Sequence, residues 1–239
     1  MTFEAIVLFL ALALLAEILG TIGGFGSSVF FVPIAAQFMP FLEVLGLTAI
    51  FHVASNLSKI LLFRKGIDRR IILLLGIPAV LFVIIGAWST SFLDAEKLEF
   101  ALGIVLVGLS LFFLMRPSNR IKASNANAVI GGVLSGGIAG LVGTGGAIRG
   151  MTLAAFGMSK NVFIATSAFI DLGVDLSRTI VYTGLGYMTL KVLYLTPFLI
   201  GVGLLGTFIG KVILEKITQE KFQRIVLFLI LGVGVTMLL

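Results

Sequence analysis

The chain has 239 residues, 59% hydrophobic and 12% charged, with a formal net charge of +6 and a mean hydropathy of +1.19. So little polar surface cannot clothe a soluble globule, and the sequence reads as an all-α polytopic membrane protein. Without cysteine it makes neither disulfides nor a thiol relay, and its single histidine, His52, leaves no histidine cluster for a metal, so neither metal nor cofactor is expected.

Apolar runs give ten predicted segments in chain order: 3–22, 25–39, 43–63, 71–90 and 98–115, then 127–142, 147–158, 161–182, 191–210 and 222–239. No Lys or Arg precedes Lys59, which argues against a cleaved secretory signal. The first segment runs into "GTIGGFGSSVFFVP", Gly20 to Pro33, with four glycines within seven residues. The third carries His52, Asn56 and Lys59 at spacings of four and three, which places them on one helical face. After the fifth, the polar stretch 116–126 reads as a cytoplasmic linker between a first membrane repeat, 1–115, and a second, 127–239. The second half breaks at Gly143 to Gly146, places Arg149 just beyond, and carries Asp171, Asp175 and Arg178 at the same four-and-three spacing.

The two halves match weakly in identity but consistently in kind. At an offset of 120, Gly20, Gly23 and Gly26 fall on Gly140, Gly143 and Gly146; at 119, His52, Asn56 and Lys59 fall on Asp171, Asp175 and Arg178, and Pro78 on Pro197. With the amino terminus outside, the basic residues Arg64, Lys65, Arg69, Arg70, Arg116, Arg120, Lys122, Lys160, Lys211, Lys216, Lys221 and Arg224 all face the cytoplasm. The gaps around Pro40, Leu93 and Leu185 carry almost none. Five segments per half is odd, so the repeats are expected to be inverted and both termini extracytoplasmic. The positive charge then reports topology, and no nucleic-acid partner is expected.

Broken backbone in hydrocarbon must be packed in protein or line a wet cavity. Gly132, Gly136 and Gly140, four apart, suit close helix packing. The clustered glycines are expected instead to form the tips of helical hairpins, each opening a repeat, with new helices starting at Ser27 or Ala147. Free amides and the helix dipole make such starts attractive to anions. The candidate anion-binding residues are therefore Gly23, Gly24, Gly26, Ser27, Ser28, Thr144, Gly145, Gly146 and Arg149, with Gly23 and Gly145 expected to tolerate a side chain least. Candidates for gating or proton coupling are His52, Asn56, Asp171, Asp175 and Arg178.

Plainer readings stand beside these. Asp175 and Arg178 can pair on their own helix, Arg149 can pair with Glu17 or Asp171, Lys59 and Arg178 can snorkel to a surface, and Glu17 can cap local donors. Trp88, Tyr182 and Tyr187 are expected at the membrane interface.

The paired breaks "GTIGGFGSSVFFVP" and "GLVGTGGAIRGMTL", each followed by a short and then a long helix, the second with an "ATSAF" start at Ala165, resemble those of the sulfite exporter TauE/SafE family of permeases. The likeness covers essentially the whole chain. The proline that tends to follow the second break in that family is absent, and Arg149 and Thr152 stand there instead. The resemblance implies transport of sulfite, thiosulfate or small organosulfonates. The expected protein is thus a secondary transporter of small sulfur oxyanions in a prokaryotic plasma membrane, and not an enzyme. Its partners would be the anion and the bilayer, with a homodimer left open. Two alternatives remain: a cation or proton exchanger using Asp171 and Asp175, and a non-transporting membrane assembly protein.

Overall fold

A computed structural model describes residues 1–24, 26–63, 66–115, 122–214, 216 and 235. The predicted segment 222–239, most of the linker 116–126, and the basic residues Arg64, Lys65, Arg116, Arg120, Lys221 and Arg224 lie outside the described residues. Among the described residues every regular element is helical.

The first helix, α1 (Phe3–Gly23), is N-capped by the Thr2 hydroxyl, which accepts from the Ala5 amide at 3.3 Å. It stops at Gly24, whose left-handed backbone (φ 70°) turns its N–H back to the Gly20 carbonyl. Further along, α7 (Asn125–Val142) is built the same way: Ser124 caps its start, and Gly143 (φ 82°) donates to the Ala139 carbonyl at its end. After each of these stops comes a short helix, α2 (Ser28–Ala36) and α8 (Gly146–Ala154), nine residues apiece. At about 1.5 Å per residue each is roughly 13 Å long, less than half of a hydrocarbon core about 30 Å thick.

The remaining helices are α3 (Phe41–Leu62), α4 (Arg69–Ile71), α5 (Ile77–Ser89), α6 (Ala95–Met115), α9 (Lys160–Gly184) and α10 (Leu190–Leu214). A π turn at Ile72–Gly76 joins α4 to α5 just before Pro78, which cannot donate the amide that a regular helix needs there. Among the described residues, five stretches are long and apolar enough to cross a membrane: Phe3–Gly23, Phe41–Leu62, Arg69–Phe92, Asn125–Val142 and Leu190–Leu214. The side chains of Leu8, Leu15, Leu81, Ile85 and Phe208 stay exposed on the outside of the bundle, where lipid tails are their natural neighbours.

Glycine sets how closely the helices approach. A Cβ on Gly132, Gly136 or Gly140 would stand 2.3, 2.1 and 2.3 Å from the carbonyl oxygens of Leu75, Ala79 and Val83. Numbers rise together on the two elements, so α5 and α7 run parallel in near backbone contact. On the other side Gly206 lies against Glu17 and Gly210 against Thr21, which makes α1 and α10 parallel as well. By contrast α3 and α9 are antiparallel, since His52 meets Arg178 while Asn56 meets Asp175.

One expectation is overturned here. Tyr182 and Tyr187 are buried, not interfacial: the Tyr182 hydroxyl donates to the Gly140 carbonyl at 2.5 Å, and the Tyr187 hydroxyl bonds Thr90 at 2.9 Å. Each phenol finds its partner inside, so water is not needed to satisfy it. Trp88 is 58% exposed.

The packing makes a stability prediction. Gly136→Val should force α5 away from α7 and destabilise by about 1–3 kcal/mol or more, as overpacking does. Gly108→Ala, where nothing stands within 4 Å of the added Cβ, should leave the melting temperature unchanged or slightly higher. Thermal unfolding of the two variants in the same detergent compares them directly.

Candidate functional site

The two backbone breaks and the antiparallel pair α3 and α9 enclose a polar cavity. Gly26, Ser27, Ser28, Gly145 and Gly146 line it from the breaks, His52, Asn56 and Lys59 from α3, Arg149 from α8, and Asp171, Asp175 and Arg178 from α9. A second, adjoining cavity is bounded by Gly24, Gly26, Asn56, Lys59, Ser167 and Asp171. Thr144 reaches the site through its hydroxyl, 3.1 Å from that of Ser28, a bond that ties one break to the other. Gly23 is the buried last residue of α1 and lines neither cavity.

The two short helices both begin at the central cavity, and neither is capped by a side chain at its start. The first residues of both helices, Ser28 and Gly146, line the cavity, so these uncapped first turns border it. The left-handed backbone falls at Gly24 and Gly143, each the residue after the last helical one, and at Gly26 within the first break, not at Gly23 or Gly145. Gly145 is constrained by proximity instead: its φ is −131°, and a Cβ there would stand 1.9 Å from the Ser135 carbonyl oxygen. At Gly26 a Cβ would lie 3.7 Å from Arg149 Nη2, so the glycine leaves the guanidinium open on that side.

Three ion pairs occupy the site. Arg178 holds Asp175 through both Nε and Nη2 at 2.7 Å, and its Nη1 donates to the Gly143 carbonyl at 2.9 Å. Asn56 Nδ2 donates to the other Asp175 oxygen at 2.7 Å. Arg149 pairs with Asp171 through Nη1 and donates from Nε to the Ser167 hydroxyl at 3.0 Å. Lys59 Nζ lies 2.8 Å from Glu17 Oε1 and 2.7 Å from the Ser55 hydroxyl. Lys59 and Arg178 are 5% and 2% exposed, so neither snorkels; buried carboxylates hold both inward.

Glu17 is the residue that sequence reasoning underrated. Fully buried, it accepts from Thr21, Ser27, Ser55 and Thr207 as well as Lys59. With Glu17 ionised, the single Ser27 hydrogen must point at it. His52 Nε2, 2.7 Å from the same hydroxyl, then has to donate, which leaves Nδ1 to accept from Arg178 Nη2 at 3.3 Å. A signal was present in the sequence: a lone acid deep in an apolar helix needs a partner, and Thr21 and Lys59 each sit where such a helix face could supply one. Ser55, Ser167 and Thr207 carried no such signal, since a hydroxyl is common in membrane helices.

A family model described as Sulfite exporter TauE/SafE matches residues 9–237 of the chain. No curated protein and no solved structure matches it.

The Glu17 cluster makes a second prediction. Glu17→Gln leaves the Lys59 ammonium buried without its carboxylate and should cost about 3–5 kcal/mol. Adding Lys59→Met should recover much of that loss, because the stranded charge is gone. Melting temperatures of the two single variants, the double variant and the parent close the cycle.

Proposed function

The chain belongs to the sulfite exporter TauE/SafE family, and from that premise we propose that it is a secondary transporter whose cavity between the two breaks binds a small sulfur oxyanion: sulfite, thiosulfate or an organosulfonate. The observation that carries this reading is the convergence of two uncapped helix starts and the Arg149 guanidinium on one cavity. Amides and a planar fork of donors suit an oxyanion, and they offer nothing to a bare cation. The carboxylates, which a cation exchanger would use, are already engaged by Lys59, Arg149 and Arg178.

In this reading Arg149 meets the anion directly, Ser28 and Thr144 add hydroxyl donors, and Gly26, Gly145 and Gly146 allow close approach to the backbone. His52, Asn56, Asp175 and Arg178 hold the two long helices together and carry the gating. The cavity offers about 20 Å³ to the centre of a water molecule. One buried water needs roughly 10–15 Å³ on that measure. As it stands the cavity has room for about one water, so its walls must move apart to hold an oxyanion.

The protein works, we infer, as two inverted repeats, 1–115 and 127–239, in a prokaryotic plasma membrane. Two packing relations support this. The matched helices α3 and α9 run antiparallel, and their matched residues Asn56 and Asp175 touch, as residues beside a two-fold axis in the membrane plane must. The first helix of each half also packs in parallel on a long helix of the other, α1 on α10 and α7 on α5. With this arrangement both termini lie outside and 116–126 inside.

Binding to purified protein tests the site. Arg149→Lys keeps the charge but loses the fork, so it should weaken sulfite or thiosulfate about tenfold, and Arg149→Met should nearly abolish binding with the protein still folded. Wild-type affinity in a stable Arg149→Met protein rejects the assignment. Topology is tested separately: the parent has no cysteine, so Phe3→Cys should be labelled only from outside and Lys122→Cys only from the cytoplasm.

A further inference from the structure

Each cation at the cavity already has a carboxylate: Lys59 has Glu17, Arg178 has Asp175 and Arg149 has Asp171. With His52 neutral, three positive and three negative charges cancel. An anion added to this balanced site would leave excess negative charge in a low-dielectric interior, which is strongly unfavourable. Something must enter with the anion or give way to it.

The three carboxylates are not held equally. Glu17 accepts from five side chains on three helices and one break, and Asp175 from two nitrogens of Arg178 and from Asn56. Among the described residues Asp171 has Arg149 as its bonded partner. Its side chain is also the most accessible of the three, at 14% against 0% and 5%, and it borders both cavities. Gly26, without a side chain, leaves the neighbouring flank of the guanidinium clear.

We propose that Asp171 is a displaceable internal counter-ion: its carboxylate occupies the place on Arg149 that the transported anion takes, and it gains a proton on release. This rests on the proposed function and adds the coupling ion. The guanidinium N–H bonds pass from the Asp171 oxygens to the oxyanion, and one proton from solution joins the freed carboxylate. For a singly charged anion the net charge of the site is then unchanged. Anion and proton therefore travel together.

The ionisable groups facing Asp171 are Arg149 on α8, Lys59 and His52 on α3, and Asp175 and Arg178 on its own helix. From α7 the cavity receives Ala139, from α1 the second cavity receives Gly20 and Thr21, and α5 and the π turn meet α9 through Val80 and Gly76; none of these ionises. His52 Nδ1 already accepts from the Arg178 guanidinium, so a second ring proton there would have to face it. Asp175 would have to leave three donors to take one.

Calorimetric titration of sulfite, thiosulfate and methanesulfonate into purified wild type, Asp171→Asn and Arg149→Met, each in two buffers of different ionisation enthalpy, tests this. The anion's own protonation is common to all and cancels in the comparison. Wild type should take up about one proton more per bound anion than Asp171→Asn. The variant, with Arg149 freed in advance, should bind about tenfold more tightly. Asp171→Ser should behave like Asp171→Asn and replaces it if the amide variant does not fold. Equal proton uptake, or equal or weaker binding by the Asp171 variants, overturns the inference while loss of binding in Arg149→Met leaves the proposed function standing. Wild-type affinity in a stable Arg149→Met protein, or no binding of any of the three anions by wild type, overturns the proposed function and this inference with it.

Discussion

One buried carboxylate organises this protein. Glu17 sits on α1 with no exposure to water, and the groups that satisfy it come from Thr21 on its own helix, Ser27 in the first break, Ser55 and Lys59 on α3, and Thr207 on α10. A carboxylate taken out of water is costly unless its lone pairs are filled and its charge is met, and here both conditions hold. Four separate stretches of chain must therefore arrive at one point. Once they do, the break between α1 and α2 is fixed in space, and Ser27 can present its hydroxyl to His52.

From His52 the same logic runs across to the other half. Its ring meets Arg178, whose guanidinium grips Asp175 on its own helix and the Gly143 carbonyl at the second break. Asn56 closes the circuit onto Asp175. The polar interior is thus a continuous set of bonds between the two breaks, so the charged side chains and several carbonyls there are satisfied by the protein itself. Glycine makes the geometry attainable. Only near-contact of α5 with α7, and of α10 with α1, brings the carbonyls and the broken ends so close to the charged side chains.

The charges of the site are balanced pair by pair, and Arg149 with Asp171 is the pair least supported by neighbours. The chain belongs to the sulfite exporter TauE/SafE family, a family of membrane transporters. The cavity brings a guanidinium and two helix starts together in an apolar bundle.

Composition and run length together determined the solvent and the fold class: a chain this apolar with so few charges belongs in a bilayer, and long unbroken apolar runs cross it as helices, each satisfying its own backbone. The glycine clusters marked the two breaks, and the four-and-three spacing of His52, Asn56 and Lys59 and of Asp171, Asp175 and Arg178 marked the two polar faces, since a helix repeats every 3.6 residues wherever it is placed. Asp175 with Arg178 could be read as a pair on one helix, but partnership between helices could not be decided. That Lys59 turns inward to Glu17, that Arg149 takes Asp171 and not Glu17, and that Tyr182 is buried on Gly140 depend on which helices become neighbours and how closely glycine lets them approach. Which glycine of the first cluster turns was hidden too: composition places the end of a helix only to within a residue or so, while the tertiary structure puts the left-handed turn at Gly24.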